Sequence, residues 1–179
     1  TPIIKGINYD RLETGGVQWP CPSYDHPGTS YLYAETFPRG QYAKFVGYDQ
    51  GPIAAETPSK RFPLMLNTGR VLYHWHGGTI TRRVDNLMAR SPELEISINP
   101  EDADNYGVVD GQKIKVSSRR GELVGQALLT EKMRRGEVFI PFVKLSESAA
   151  NFLTNSAYDP DSKIPEYKVC AVRLDSIET

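Results

Sequence analysis

From Arg61 onward the apolar residues fall in short runs broken by glycine, proline and asparagine, and this pattern constrains the fold more than any other feature. Pro63-Leu64-Met65-Leu66 is a short apolar run ending at Asn67, as expected of a buried strand. Leu94 to Ile98 alternates apolar and polar residues, and so does Lys113-Ile114-Lys115-Val116, which puts Ile114 and Val116 on one face. Arg119-Arg120-Gly121 reads as a tight hairpin turn, with Glu122 to Leu129 as the returning strand. Val138-Phe139-Ile140 is a fully apolar strand closed by Pro141, and Val169 to Leu174 is the last. Helical signals are few and short. Residues 83–90 suit about two turns, and 147–152 suit a brief helix. Asn99-Pro100-Glu101-Asp102 has a capping asparagine, a proline at the first helical position and acids at the positive dipole end, with Gly107 as a left-handed stop. Many strands with little helix predict a mainly β domain over 61–179. A closed or nearly closed barrel would hide the strand edges.

Residues 1–60 are different in kind. They hold 6 of the 10 tyrosines and 7 of the 13 prolines, without a long periodic stretch. In QWPCPSYDHPGTSYLY each proline fixes φ and biases the preceding residue toward extended conformations. Trp19, Tyr24, Tyr31 and Tyr33 cannot all face water cheaply, so the segment is expected to be an extended arm lying across something larger. A partly disordered tail is the alternative.

Composition removes several function classes. The 21 Lys and Arg against 22 Asp and Glu leave a net charge of −1, unlike the basic balance of a nucleic-acid binder. No apolar run approaches the roughly 20 residues that span a bilayer, and TPIIKGINYD lacks the blocks of a signal peptide. Cys21 and Cys170 are too few for an iron–sulfur or Cys-rich zinc site. They are expected to be separate thiols in a reducing compartment, with a disulfide as the alternative, and the expected location is the cytoplasm. HExxH, GxSxG and GxxxxGK[ST] motifs do not occur, so no self-contained catalytic apparatus is visible.

The chemistry-bearing stretch is TGRVLYHWHGGTITRR, residues 68–83, directly after the first predicted strand. Gly69, Gly77 and Gly78 permit close backbone approach or positive φ, while Thr68, Thr79 and Thr81 supply hydroxyls beside backbone N–H groups. Arg70, Arg82 and Arg83 are planar two-point donors for phosphate, and residues 70–90 carry four arginines against the single acid Asp85. The stretch reads as an anion site, with a turn of solvated charges as the alternative. His74 and His76 would point the same way on a strand. They lack an evident third metal ligand, which favours stacking and hydrogen bonding to a flat heterocycle, with Trp75 opposite or in the core. The basic run 113–135 is expected to be the solvated face of a hairpin. Phe142 follows Pro141 where a barrel mouth would be, and the Asn151 amide can give and accept hydrogen bonds together. Lys168 precedes the last strand, within reach of a phosphate or ring carbonyl.

The blocks TGRVLYHWHGGTITRR, PEDADNYGVVDGQKIKVSSRRGELVG, GEVFIPF and NFLTNSAYDPDSKIPEYKVCAV, in this order, resemble the C-terminal dinucleotide-binding domain of molybdopterin oxidoreductases. The resemblance is greatest to formate dehydrogenase catalytic subunits, followed by periplasmic and assimilatory nitrate reductases. INYDRLETGGVQWPCPSYDHPGT is similar to the stretch preceding that domain in formate dehydrogenases. The resemblance implies a double-psi β-barrel that binds molybdopterin guanine dinucleotide, usually two copies around one Mo or W. It implies cofactor contacts from Thr68, Gly69, Arg70, Val71, Leu72, Tyr73, His74, Trp75, His76 and Gly77, joined by Thr79, Thr81, Phe142, Asn151 and Lys168. It places no catalytic or metal-ligating residue in this chain. Those would lie in the remaining domains of the catalytic subunit, its partners together with an iron–sulfur electron-transfer subunit; neither nucleic acid nor direct membrane insertion is implied. A separate small subunit, a nitrate reductase and a non-catalytic double-psi module are the alternatives. Family members commonly carry Thr where Gly77 stands and Met where Ile80 stands.

Overall fold

A computed structural model describes residues 1–47, 51, 54–145 and 147–177. It divides into two compact units, Thr1–Asp49 and Gln50–Thr179.

In the first unit a short helix, α1 (Tyr9–Leu12), is capped by the Asn8 side chain, which accepts from the Arg11 backbone N–H. The Arg11 guanidinium gathers the chain around itself, donating to the carbonyls of Gly6 (2.8 Å), Tyr24 (2.9 Å) and His26 (2.8 Å) and to Cys21 Sγ (3.3 Å). Cys21 is buried at the centre of this knot, whereas Trp19, Tyr24, Tyr31 and Tyr33 are exposed.

The second unit is a closed barrel of six strands among the described residues: β1 (Leu64–Gly69), β2 (Glu95–Ile98), β3 (Lys113–Ser117), β4 (Glu122–Leu129), β5 (Glu137–Pro141) and β6 (Val169–Ser176). Around the barrel the order is β1-β5-β2-β4-β3-β6. Two neighbouring pairs are parallel, β1 with β5 and β2 with β4; the other four are antiparallel. Replacing the first three strands by the last three leaves every neighbour relation and direction unchanged. This internal two-fold order, with its two parallel crossovers, makes the fold a double-psi β-barrel.

Alternation builds the interior. Leu64 and Leu66, Ile96 and Ile98, Ile114 and Val116, Leu123 and Ala127, Val138 and Ile140, Val172 and Leu174 all point inward and are buried. Each large aliphatic among them contributes about 1.5–3 kcal/mol by leaving water. Gly125 of β4 occurs where no side chain fits, since a Cβ there would lie 2.5 Å from the Leu94 carbonyl oxygen and 2.7 Å from Ile96 Cδ1.

The helix after β2, α3 (Pro100–Asn105), starts as expected. Asn99 accepts from the Glu101 N–H, and Gly107 follows the helix at φ +62°. The span 83–90 is less helical than its spacing predicts. A 3-10 turn, Thr81–Arg83, and a single α turn, α2 (Asp85–Met88), are separated by Val84 in extended conformation at φ −108°, ψ 107°. The brief helix expected over 147–152 is a 3-10 turn at Ala150–Phe152. Arg119 and Arg120 of the basic hairpin both pair with the Glu56 carboxylate, and Arg120 Nε also donates to the Leu153 carbonyl (2.9 Å). That part of the hairpin is therefore a clamp on the segment before β1 and not a solvated face.

Candidate functional site

The parallel pairing of β1 with β5 brings two loops to the same end of the barrel. Gly69 ends β1 opposite Pro141, and its carbonyl accepts from the Phe142 N–H (2.9 Å). Farther out, the Lys144 N–H donates to the Gly77 carbonyl (3.1 Å). The antiparallel pairing of β1 with β6 adds a third segment. Thr68 N–H donates to the Lys168 carbonyl (3.2 Å), and its hydroxyl donates to the Tyr167 carbonyl (2.9 Å).

These segments enclose a cleft of ≈ 910 Å³ lined by Gly69, Arg70, His76, Gly77, Thr79, Arg82, Phe142, Lys144, Ala149, Asn151, Tyr167 and Lys168. Its size falls in the roughly 300–1,000 Å³ range of small-molecule sites. Four cations and no carboxylate line it among the described residues. Phe142 and Tyr167 add ring surface, with centroids 5.4 Å apart and planes tilted by 58°. At Gly77 a Cβ would meet nothing within 4 Å, so the backbone there faces open space. His76 and Gly78 both take positive φ (50° and 76°), which turns the loop back along the cleft. The lining suits an anionic ligand with flat rings: guanidinium and ammonium groups for phosphate, an amide for a base edge, and ring faces.

Eight of the residues expected from the sequence meet here: Gly69, Arg70, His76, Gly77, Thr79, Phe142, Asn151 and Lys168. The others do not. Val71, Leu72, Tyr73, His74, Trp75 and Thr81 line a separate groove of ≈ 410 Å³ with Arg70 and Leu87. Arg70 borders both spaces, its guanidinium 5.7 Å from the Trp75 ring centroid. The expectation that His74 and His76 act as a pair on a strand needs correction. The strand ends at Gly69, and the chain turns through a Val71–His74 bridge and a Trp75–Gly78 hydrogen bond. His74 is buried, its ring nitrogens against Thr81 Oγ1 (3.2 Å) and the Ser91 carbonyl (2.7 Å), so it holds the loop from within. Thr81 Oγ1 also accepts from the Trp75 N–H, and the Thr68 hydroxyl is already spent on Tyr167. Their hydroxyls shape the loop and are not free for phosphate.

The expected set lacked Arg82, Lys144, Ala149 and Tyr167. Arg82 carried a signal, as one of the arginines of the basic stretch. Tyr167 is next to Lys168 and Lys144 lies two residues after Phe142, but neither carries a signal of its own, and only the barrel closure brings them to the cleft.

The fold and this cleft define a double-psi barrel domain with a cation-lined cleft at one end. Residues 64–171 match the family "Molydopterin dinucleotide binding domain", and the chain belongs to that family. It is 42% identical over 179 residues to F420-dependent formate dehydrogenase 1 subunit alpha of Methanococcus maripaludis, covering 99% of this chain and 26% of that protein. It is 43% identical to F420-dependent formate dehydrogenase subunit alpha of Methanocaldococcus jannaschii, with 99% and 26% covered. Against the assimilatory nitrate reductase catalytic subunit of Bacillus subtilis it is 40% identical, with 95% and 24% covered. The chain thus spans about a quarter of the length of the curated relatives it matches. Acetylene hydratase from Pelobacter acetylenicus shares the fold at a TM-score of 0.56 and 16% identity, over 66% of this chain and 19% of that one. Among the described residues, no helix is long and apolar enough to cross a membrane.

Proposed function

We propose that the chain is the cofactor-holding portion of the catalytic subunit of a Mo- or W-dependent formate dehydrogenase. In this reading the cleft binds molybdopterin guanine dinucleotide, one of two copies around the metal. The observation that carries it is the cleft with four cations and, among the described residues, no carboxylate, together with Asn151 and the Phe142–Tyr167 ring pair, in a chain about 42% identical to formate dehydrogenase alpha subunits. Arg70 and Lys168 would hold phosphate, Asn151 would hydrogen-bond a base or pterin edge, and Gly69 and Gly77 would let the backbone approach closely. The groove residues Val71, Leu72, Tyr73 and Trp75 would support the loop from its other side.

When bound, the cofactor supplies the two-electron chemistry that takes formate to CO2. This chain's part is to bind it, fix its orientation and surround it with positive charge. The metal ligand and the iron–sulfur ligands would belong to the remaining domains of the subunit, and the electrons would pass to an iron–sulfur partner. The exposed aromatics of the arm, among them Tyr9, Trp19, Tyr24 and Tyr31, support its lying against those domains.

The 40% identity to a nitrate reductase catalytic subunit supports a second reading, the same domain serving nitrate reduction. The test uses the complete subunit. Acid-released guanine nucleotide should be present, and a viologen dye should be reduced with formate while nitrate leaves the reduced dye unchanged. Nitrate turnover without formate turnover would select the second reading, and a subunit free of pterin and guanine would reject both.

A further inference from the structure

We infer that Arg82, one of three arginines the sequence offers as phosphate donors but not among the contacts the resemblance implies, is a second phosphate clamp of the cleft, held ready by the main chain around Lys144. The inference rests on the reading of the cleft as a pterin dinucleotide site.

Two hydrogen bonds run in opposite directions between the same two segments. Lys144 N–H donates to the Gly77 carbonyl (3.1 Å), and Arg82 Nη1 donates to the Lys144 carbonyl (3.3 Å). The Arg82 N–H is itself fixed to the Gly78 carbonyl (3.0 Å). Gly78 sits against Val143 so closely that a Cβ would come within 2.7 Å of Val143 Cγ2. The base of Arg82 and one arm of its fork are therefore positioned without any ligand, Arg82 lines the cleft, and among the described residues its side chain has no other hydrogen bond than that to the Lys144 carbonyl.

The charge balance points the same way. Lys144 is 3.7 Å from the Glu147 carboxylate, which partly offsets its charge. Arg82 has no acidic partner among the described residues, so its charge is uncompensated. Arg70 and Arg82 come from opposite ends of the loop yet line one space. Two guanidinium-bearing residues lining one cleft fit a diphosphate, whose adjacent charges a single cation cannot neutralise. Arg83, the next residue, does not line the cleft, although composition alone makes the two arginines equivalent.

The experiment uses the complete catalytic subunit with Arg70→Ala, Arg82→Ala, Arg82→Lys and Arg83→Ala variants. It measures guanine nucleotide per polypeptide over time after transfer to high salt, beside the melting temperature. Arg82→Ala should shorten cofactor retention by about tenfold, the loss of one charge-assisted clamp. Arg83→Ala should match wild type. Arg82→Lys keeps the charge but replaces the planar two-point fork with a single ammonium on a flexible stem, so its retention should be intermediate. That comparison decides the matter if the alanine variant folds poorly. Retention by folded Arg82→Ala, or by Arg82→Lys, equal to that of Arg83→Ala overturns the inference. If Arg70→Ala still loses nucleotide in that case, the cleft reading survives without Arg82. A wild-type subunit that holds no guanine removes both.

Discussion

Glycines show how differently single residues constrain this barrel. At Gly77 nothing stands within 4 Å of a new Cβ, and the backbone is not in the left-handed region, so Gly77→Thr should fold as well as wild type. Its thermal unfolding should move by less than about 0.5 kcal/mol. Gly125 is the opposite case. A methyl group would meet the Leu94 carbonyl oxygen and Ile96 in the interior, and Gly125→Ala should cost about 1–3 kcal/mol in chemical denaturation. Cys170 makes a third residue-scale prediction. Burial pushes its thiol up to about 11, with smaller opposing influence from the nearby Arg120. The folded state keeps the proton between about pH 9 and 11 where the unfolded chain releases it, so stability falls as pH rises through that window. Cys170→Ala should flatten that alkaline slope. Native protein at pH 8.5 should resist iodoacetamide at Cys170, and urea should expose it; rapid native labelling would contradict the assigned burial.

At the scale of elements, two side chains fasten the barrel's additions. Asn99 caps α3 and also donates to the Met133 carbonyl (2.8 Å), tying the helix to the turn before β5. Asn99→Ala should cost about 1–2 kcal/mol, read as a lower denaturation midpoint with an unchanged slope. Glu56 holds both Arg119 and Arg120 with a side chain only 11% exposed, and Ala55 N–H bonds the Glu166 carboxylate beside it. Glu56→Gln should loosen that segment, seen as faster amide exchange around Ala55, with the barrel strands unaffected. The elements also show what the sequence makes legible. All six strands announce themselves through alternation or apolar runs, because each has one face in a common interior. The short helix at 100–105 is legible because a cap and a proline act locally. The course of residues 70–81 is not, because its turn depends on His74 reaching the distant Ser91 carbonyl and on Gly78 meeting Val143. The glycines and arginines mark the stretch as a binding loop, but only the closed barrel separates the residues that face the cleft from those that brace it. The same closure explains why Lys144, Ala149 and Tyr167, which carry no signal of their own, join the residues the sequence makes evident.

At the scale of the molecule, two parallel crossovers bring the ends of β1 and β5 and the start of β6 to one mouth, which concentrates positive charge on a chain of net charge −1. The charge is thus a property of the site, and a nucleotide needs only that site to be positive. The most direct test is an experimental density map of the complete, cofactor-loaded subunit. The account requires a guanine dinucleotide with its phosphates in the cleft among Arg70, Arg82 and Lys168 and a ring system beside Asn151 and Phe142. Density for the nucleotide in the Leu72–Trp75 groove, or at the opposite end of the barrel, would contradict it.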